Sequence, residues 1–140
     1  MWRGTHIFDD YAHHPNEIIP TIKVARKRTQ RRLIVVFQPH RYTRTRALWH
    51  EFINTFAHAP VDELIITDIY PASEDPIPGI TSGRLTQEIQ TANPLLPISY
   101  LPLEKNFLSI KHALQNIVQP DDLLLLLGAG NINRFPETLE

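Results

Sequence analysis

Three short runs of this sequence, Leu33-Ile34-Val35-Val36-Phe37, Leu64-Ile65-Ile66-Thr67 and Leu123 to Leu127, are apolar at nearly every position. A half-solvated strand would alternate apolar and polar residues, and a helix needs a longer stretch. A continuous apolar run of this length between polar loops is the mark of a strand covered on both faces, as in the centre of a parallel sheet. A polar loop and then a stretch with helical spacing follow the first two runs, which is the βαβ pattern. His6-Ile7-Phe8 adds a strand, followed by a helix from about Pro15 to Arg28. Pro15 suits the first helical turn, whereas Pro20 predicts either a kink or a later start. Leu48, Phe52 and Phe56, spaced by four, predict one helix from about Arg44 to His58. A helix near Gly83 to Gln90, a weaker strand from Pro97 to Leu101, a helical face of Phe107, Ile110, Leu114 and Ile117, and a short terminal helix complete the series. The expected fold is α/β: a single domain with a Rossmann-like, mostly parallel sheet and helices on both faces.

The chain of 140 residues has the size of one domain, and its twelve prolines are scattered instead of gathered in a linker. It has no Cys, which excludes a disulfide framework, a thiolate metal site and a cysteine nucleophile. Fourteen Lys and Arg against fifteen Asp and Glu give a net charge of −1, which argues against a dedicated binder of nucleic acid or acidic membrane. The longest unbroken apolar runs, Leu33 to Phe37 and Leu123 to Leu127, are too short to cross a bilayer, and the opening MWRGTHIFDD has no secretory apolar region. A soluble, cytoplasmic protein without membrane partners is expected.

In an open α/β sheet, ligands bind beyond the carboxyl ends of the strands. The segments there are DDYAHHP, QPHRYTR, DIYPASED and GAGN, and the first two hold most of the unusual polar chemistry: Asp9, Asp10, Tyr11, His13, His14, His40, Arg41 and Arg44. Arg41 and Arg44 straddle the start of a helix, so they and the helix's unpaired N–H groups can converge on a carboxylate or phosphate. The same arginines, with Arg46, also fit a solvated basic face. Asp10 can accept from ribose hydroxyls or close an Asx turn. His13 and His14 are adjacent and should diverge; with His6 and His40 they lack the spacing of a metal site, so none is expected. Lys23, Arg26, Lys27, Arg28, Arg31 and Arg32 read as a solvated helix face with cations near its C-terminus, in preference to a nucleic-acid surface. Gly128-Ala129-Gly130 lacks the third glycine of a dinucleotide fingerprint and the Lys of a phosphate loop, so these residues cannot hold a nucleoside triphosphate unaided.

The strings DDYAHHPNEI, FQPHRYTRTR, DIYPASEDPIPG and GAGNI, in this order, resemble the C-terminal domain of Mur ligases over about Ile7 to Phe135. FQPHRYTRTR points to the alanine-adding branch. A murein-tripeptide ligase of wall recycling, which shares the first loop, is the alternative within the family. The resemblance implies an ATP- and Mg2+-dependent ligase of peptidoglycan precursor synthesis that joins L-alanine to UDP-N-acetylmuramate through an acyl phosphate. It implies that Arg41 and Arg44 handle the L-alanine carboxylate, that Tyr11 and His13 line the same pocket, and that Asp10 reaches the ATP ribose region. It also implies that the UDP-binding N-terminal and ATP-binding central domains are the partners of this chain and lie outside it, leaving the chain alone without catalytic residues. Two departures are noted: Asn133 stands where the family commonly has Gly, and Pro20 interrupts the first helix. Two further readings remain: a standalone module that binds a phosphorylated or carboxylated metabolite, and a metal-dependent hydrolase.

Overall fold

The computed structural model describes residues 1–139. Its elements run β1 (His6–Asp10), α1 (Pro15–Arg28), β2 (Leu33–Phe37), α2 (Tyr42–Ala47), α3 (Trp49–Ala57), β3 (Glu63–Thr67), α4 (Ser82–Ala92), β4 (Ile98–Leu101), α5 (Leu108–Ile117), β5 (Leu123–Leu127) and a 3-10 helix (Ile132–Thr138). Five strands form one sheet in the order β1-β5-β2-β3-β4. Each pair is parallel, with Leu33 opposite Leu123 and Ile7 opposite Leu124. The expected sheet is thus present, and it is wholly rather than mostly parallel.

The apolar runs of β2 and β5 are buried at every position. Alternate side chains serve opposite layers, as the pleat requires. Leu33, Val35, Phe37, Leu123, Leu125 and Leu127 pack under α1, α3 and α4. Ile34, Val36, Ile65, Leu124 and Leu126 pack under α5 and the 3-10 helix. The Phe37 ring lies 5.5 Å from Phe52 and 4.9 Å from Phe56, which fixes α3 on the sheet. No helix among the described residues is long and apolar enough to cross a membrane.

Two local expectations change. The single helix from Arg44 to His58 is two, α2 and α3, divided at Leu48 (φ −108°, ψ 19°). The Thr45 hydroxyl donates to the Arg41 carbonyl at 2.7 Å while the Thr45 N–H reaches the same oxygen at 3.2 Å. Such back-bonding bends helices. α1, by contrast, runs unbroken from Pro15 through Pro20. Pro20 is exposed, so the Asn16 carbonyl it leaves without an amide faces solvent. Asn133 lies within the 3-10 helix without positive φ, so the departure from Gly needs no left-handed backbone.

The basic run is partly paired. Arg26 bonds Asp62 at 2.6 Å, and Arg32 grips the fully buried Asp122 through two nitrogens, at 2.6 and 3.2 Å. The pairing with Asp122 holds the Arg32 pKa above its ordinary value.

Candidate functional site

The helices after β1, β2 and β3 cover one face of the sheet, whereas the 3-10 helix after β5 covers the other. Connections therefore diverge around the carboxyl end of β5, the position at which open α/β sheets form a crevice. Four loops meet there through backbone bonds. The Gly128 N–H donates to the Asp10 carbonyl at 3.1 Å, and the Gln38 N–H to that of Leu127 at 2.9 Å. The Arg41 N–H reaches the Tyr70 carbonyl at 2.8 Å, and the Tyr70 N–H that of Pro39 at 2.8 Å.

The loop after β1 is shaped by the start of α1. His14 Nδ1 accepts the Asn16 N–H at 3.1 Å, while the Glu17 carboxylate accepts the N–H groups of His14 at 3.1 Å and His13 at 3.2 Å. This reciprocal cap satisfies the helix's orphan donors. The two backbone bonds hold the Glu17 carboxyl below its ordinary value. The adjacent histidines diverge as expected: His14 caps the helix and His13 turns to the loop after β2.

There the His13 and His40 rings lie 5.3 Å apart. Arg44 donates to His40 Nδ1 at 3.0 Å, and the Tyr70 ring stacks on His40 at 5.4 Å and 16°. Burial lowers the His40 pKa, reinforced by His13 when that ring is protonated and by the guanidinium groups of Arg44 and Arg41. A neutral ring suits its role, since a guanidinium can only donate and Nδ1 must accept. The proton of neutral His40 is then on Nε2. His13 is arranged in reverse. Its Nδ1 lies 2.8 Å from the Tyr11 carbonyl, which can only accept, so neutral His13 carries its proton on Nδ1 and a lone pair on Nε2.

Arg41 stands at the head of α2, 46% exposed, with its guanidinium 3.9 Å from Glu74. Glu74 also accepts from the Thr43 N–H at 3.0 Å and the Thr43 hydroxyl at 2.6 Å, and these bonds hold its pKa below the ordinary value. This corrects the expected partnership of arginines and helix N-terminus. A carboxylate of the chain itself takes the Thr43 N–H at that terminus, so an external anion would meet the guanidinium groups and the ring N–H of His40 in place of that amide.

The Tyr11 phenol is 67% exposed and makes no hydrogen bond among the described residues. Its carbonyl is the atom turned to the cluster. Asp10 closes an Asx turn on the Ala12 N–H at 2.8 Å, the local reading of that aspartate. It also lines an open cleft of about 350 Å³ with Phe8, Val24 and Arg28. His6 lies at the opposite end of β1, so the four histidines do not converge. Among the described residues no group of three or more His, Asp or Glu can hold a metal.

The glycines of the loop after β5 do not ring an open cradle. A side chain on Gly130 would meet Tyr70 at 2.6 Å and Gln38 at 2.7 Å, and Gly128, at φ +154°, abuts Ile132 and Gln38. His40 is among the polar residues that the sequence places at this rim, though with no binding role of its own, whereas Tyr70, Glu74 and Gln38 are not selected from sequence as functional. The signal available was their place in the same motif strings as the arginines.

The family model of the "Mur ligase, glutamate ligase domain" matches residues 2–130. A UDP-N-acetylmuramate--L-alanine ligase of Syntrophus aciditrophicus is 48% identical over 130 residues, covering 93% of this chain and 26% of the relative. The chain thus spans about a quarter of the length of that relative. Among solved structures, a domain from a putative UDP-N-acetylmuramate:L-alanyl-gamma-D-glutamyl-medo-diaminopimelate ligase of Haemophilus ducreyi superposes with a TM-score of 0.66 at 19% identity, covering 99% of this chain and 91% of that one. A UDP-N-acetylmuramate-alanine ligase of Thermotoga maritima gives 0.60 at 22% identity, covering 96% and 26%. At these identities the two structures speak to the fold alone.

Proposed function

The chain belongs to the Mur ligase family, matching its glutamate ligase domain, and from that premise we propose that it is the amino-acid-orienting domain of an ATP-dependent ligase that joins L-alanine to UDP-N-acetylmuramate in peptidoglycan precursor synthesis. The observation that carries the reading is the meeting of His13, His40 and Arg44, with Arg41 beside them, where the loops after β1 and β2 converge.

The chemistry of this cluster is that of an amino-acid cradle. L-alanine presents a carboxylate and an amine a short distance apart. His40 Nδ1 fixes the Arg44 guanidinium, leaving its remaining N–H groups, the His40 Nε2–H and the Arg41 guanidinium to receive the carboxylate. The His13 Nε2 lone pair is left to accept from the amine. Opposite tautomers on neighbouring rings thus offer a donor and an acceptor to the two ends of one small molecule. A charge-assisted bond of this type contributes about 1.5–3 kcal/mol, and orientation of a nucleophile can supply a large share of rate acceleration. Tyr11, whose carbonyl orients His13, is the proposed further wall of the same pocket.

ATP and Mg2+ of the proposed ligase belong to other segments. Gly128 and Gly130 are packed against side chains and no phosphate-binding lysine follows them, so the residues here do not fit a nucleotide triphosphate. Asp10 is left at most an edge contact to a ribose. The UDP-binding N-terminal and ATP-binding central domains are the proposed partners, and the proposed compartment is the cytoplasm, where ATP is supplied.

The test joins this chain to the corresponding N-terminal and central domains of the Syntrophus aciditrophicus relative and measures ATP- and UDP-N-acetylmuramate-dependent incorporation of L-alanine. The fusion should be active and the chain alone silent. Arg44→Ala in the fusion should raise the KM for L-alanine by about ten- to a hundredfold. Unchanged kinetics at saturating UDP-sugar, or a preference for a murein tripeptide over L-alanine, would overturn the assignment. Tight calorimetric binding of a metabolite to the chain alone would favour a standalone module.

A further inference from the structure

We infer that Gln38 is a positioning residue, a latch that fastens the loop 128–131 to the end of β2 and thereby sets its distance from the His40–Arg44 pair. The inference rests on the reading of that pair as an amino-acid cradle. Gln38 directly follows β2 and is 1% exposed. Both ends of its carboxamide are engaged across the sheet: Nε2 donates to Asn131 Oδ1 at 2.6 Å, and Oε1 accepts the Ile132 N–H at 3.0 Å. A buried carboxamide this fully partnered is tied to one geometry, because moving either partner leaves a polar group unpaired.

The latch reaches the cradle through one ring. Gly130 runs so close to the Tyr70 ring and the Gln38 side chain that an added Cβ would lie 2.6 Å from Tyr70 and 2.7 Å from Gln38. Tyr70 stacks on His40, and His40 Nδ1 receives Arg44. Loop, latch, phenol, imidazole and guanidinium form one continuous set of contacts, and dense packing passes a displacement along it. Gln38 and His40 are two residues apart, so the stretch that carries the cradle also carries its anchor.

Two variants test the latch. Gln38→Met keeps the length of the side chain and removes both hydrogen bonds, whereas Asn131→Ala removes one partner at an exposed position and spares the core. In the chain alone, NMR titration of the His40 imidazole should show its pKa moving toward the ordinary histidine value in both variants, with Asn131→Ala, which leaves the buried Gln38 Nε2–H unpaired, melting below the parent but still as a folded, cooperative domain. In the fusion ligase, each should raise the KM for L-alanine by about tenfold while leaving the KM for ATP and UDP-N-acetylmuramate within about twofold. An unmoved His40 titration in Asn131→Ala overturns the latch. So does an equal rise of all three KM values, which would mark a merely structural role. An inactive parent fusion would count against the proposed function, whereas the titration decides the latch independently.

Discussion

Arg41 has φ 72° and ψ 140°, a conformation that residues with a side chain rarely adopt. Such a residue costs about 1–3 kcal/mol and persists only where its surroundings over-determine it. Here they do: its N–H is held by Tyr70 and its carbonyl by both donors of Thr45. The guanidinium, paired only weakly with Glu74, gives the fold little in return, so the strain accords with the proposed role of Arg41 in holding a ligand. Arg41→Gly should therefore be more stable than Arg41→Ala by about 1 kcal/mol in thermal melting, even after the entropic penalty of glycine, while both lose L-alanine binding in the fusion ligase. Arg41 and Arg44 were legible in the sequence because two cations near a strand end are conspicuous. His40 stood among the polar residues of the rim but without a binding role, because its part lies in a tautomer and a neighbour, and Gln38 was not singled out because a buried amide has no periodicity. Glu74 stands about thirty residues from the helix it caps, and no local rule reaches that far.

At the scale of elements, strands were read well wherever both faces are buried. β1 was read as ending at Phe8 but continues to Asp10, because edge position and a polar sequence hide its last two residues. The division between α2 and α3 escaped the apolar stripe of Leu48, Phe52 and Phe56, since the stripe stays in phase across a bend caused by one hydroxyl. Pro20 shows the opposite error. Proline was expected to interrupt α1, yet packing of Ile18, Ile22 and Ala25 under the sheet outweighs a missing solvent-side bond. The cost is still present in the folded state. Pro20→Ala should raise stability by about 1–2 kcal/mol, the interior-proline penalty less the entropy that proline removes from the unfolded chain. Urea unfolding would check it, and an unchanged midpoint would mean that the helix already relaxes around the ring.

At the scale of the molecule, periodicity alone gave the layers and the parallel sheet, but not the strand order. That order depends on the return from β4 to β5, which carries the last strand between β1 and β2, and nothing in the apolar runs says where the returning strand inserts. The site follows from this insertion, because it brings the loop after β5 between those bearing His13 and His40. The inserted strand consists of five leucines buried on both faces. Sliding it by one residue would exchange leucine for leucine in both layers, so its side chains cannot tell it where to stop. The answer has to come from its ends: Asp122, clasped by Arg32 before the first leucine, and Gly128, wedged against Gln38 after the last. Arg32→Met should cost about 3 kcal/mol, the low end for breaking a buried pair because Arg32 is partly exposed. Arg32→Met with Asp122→Leu should regain much of that stability yet broaden the amide signals of residues 123–131 in NMR spectra. A homogeneous strand thus keeps its address through two punctuation marks, and the proposed ligase would lose the alignment of the loop 128–131 before it lost its fold.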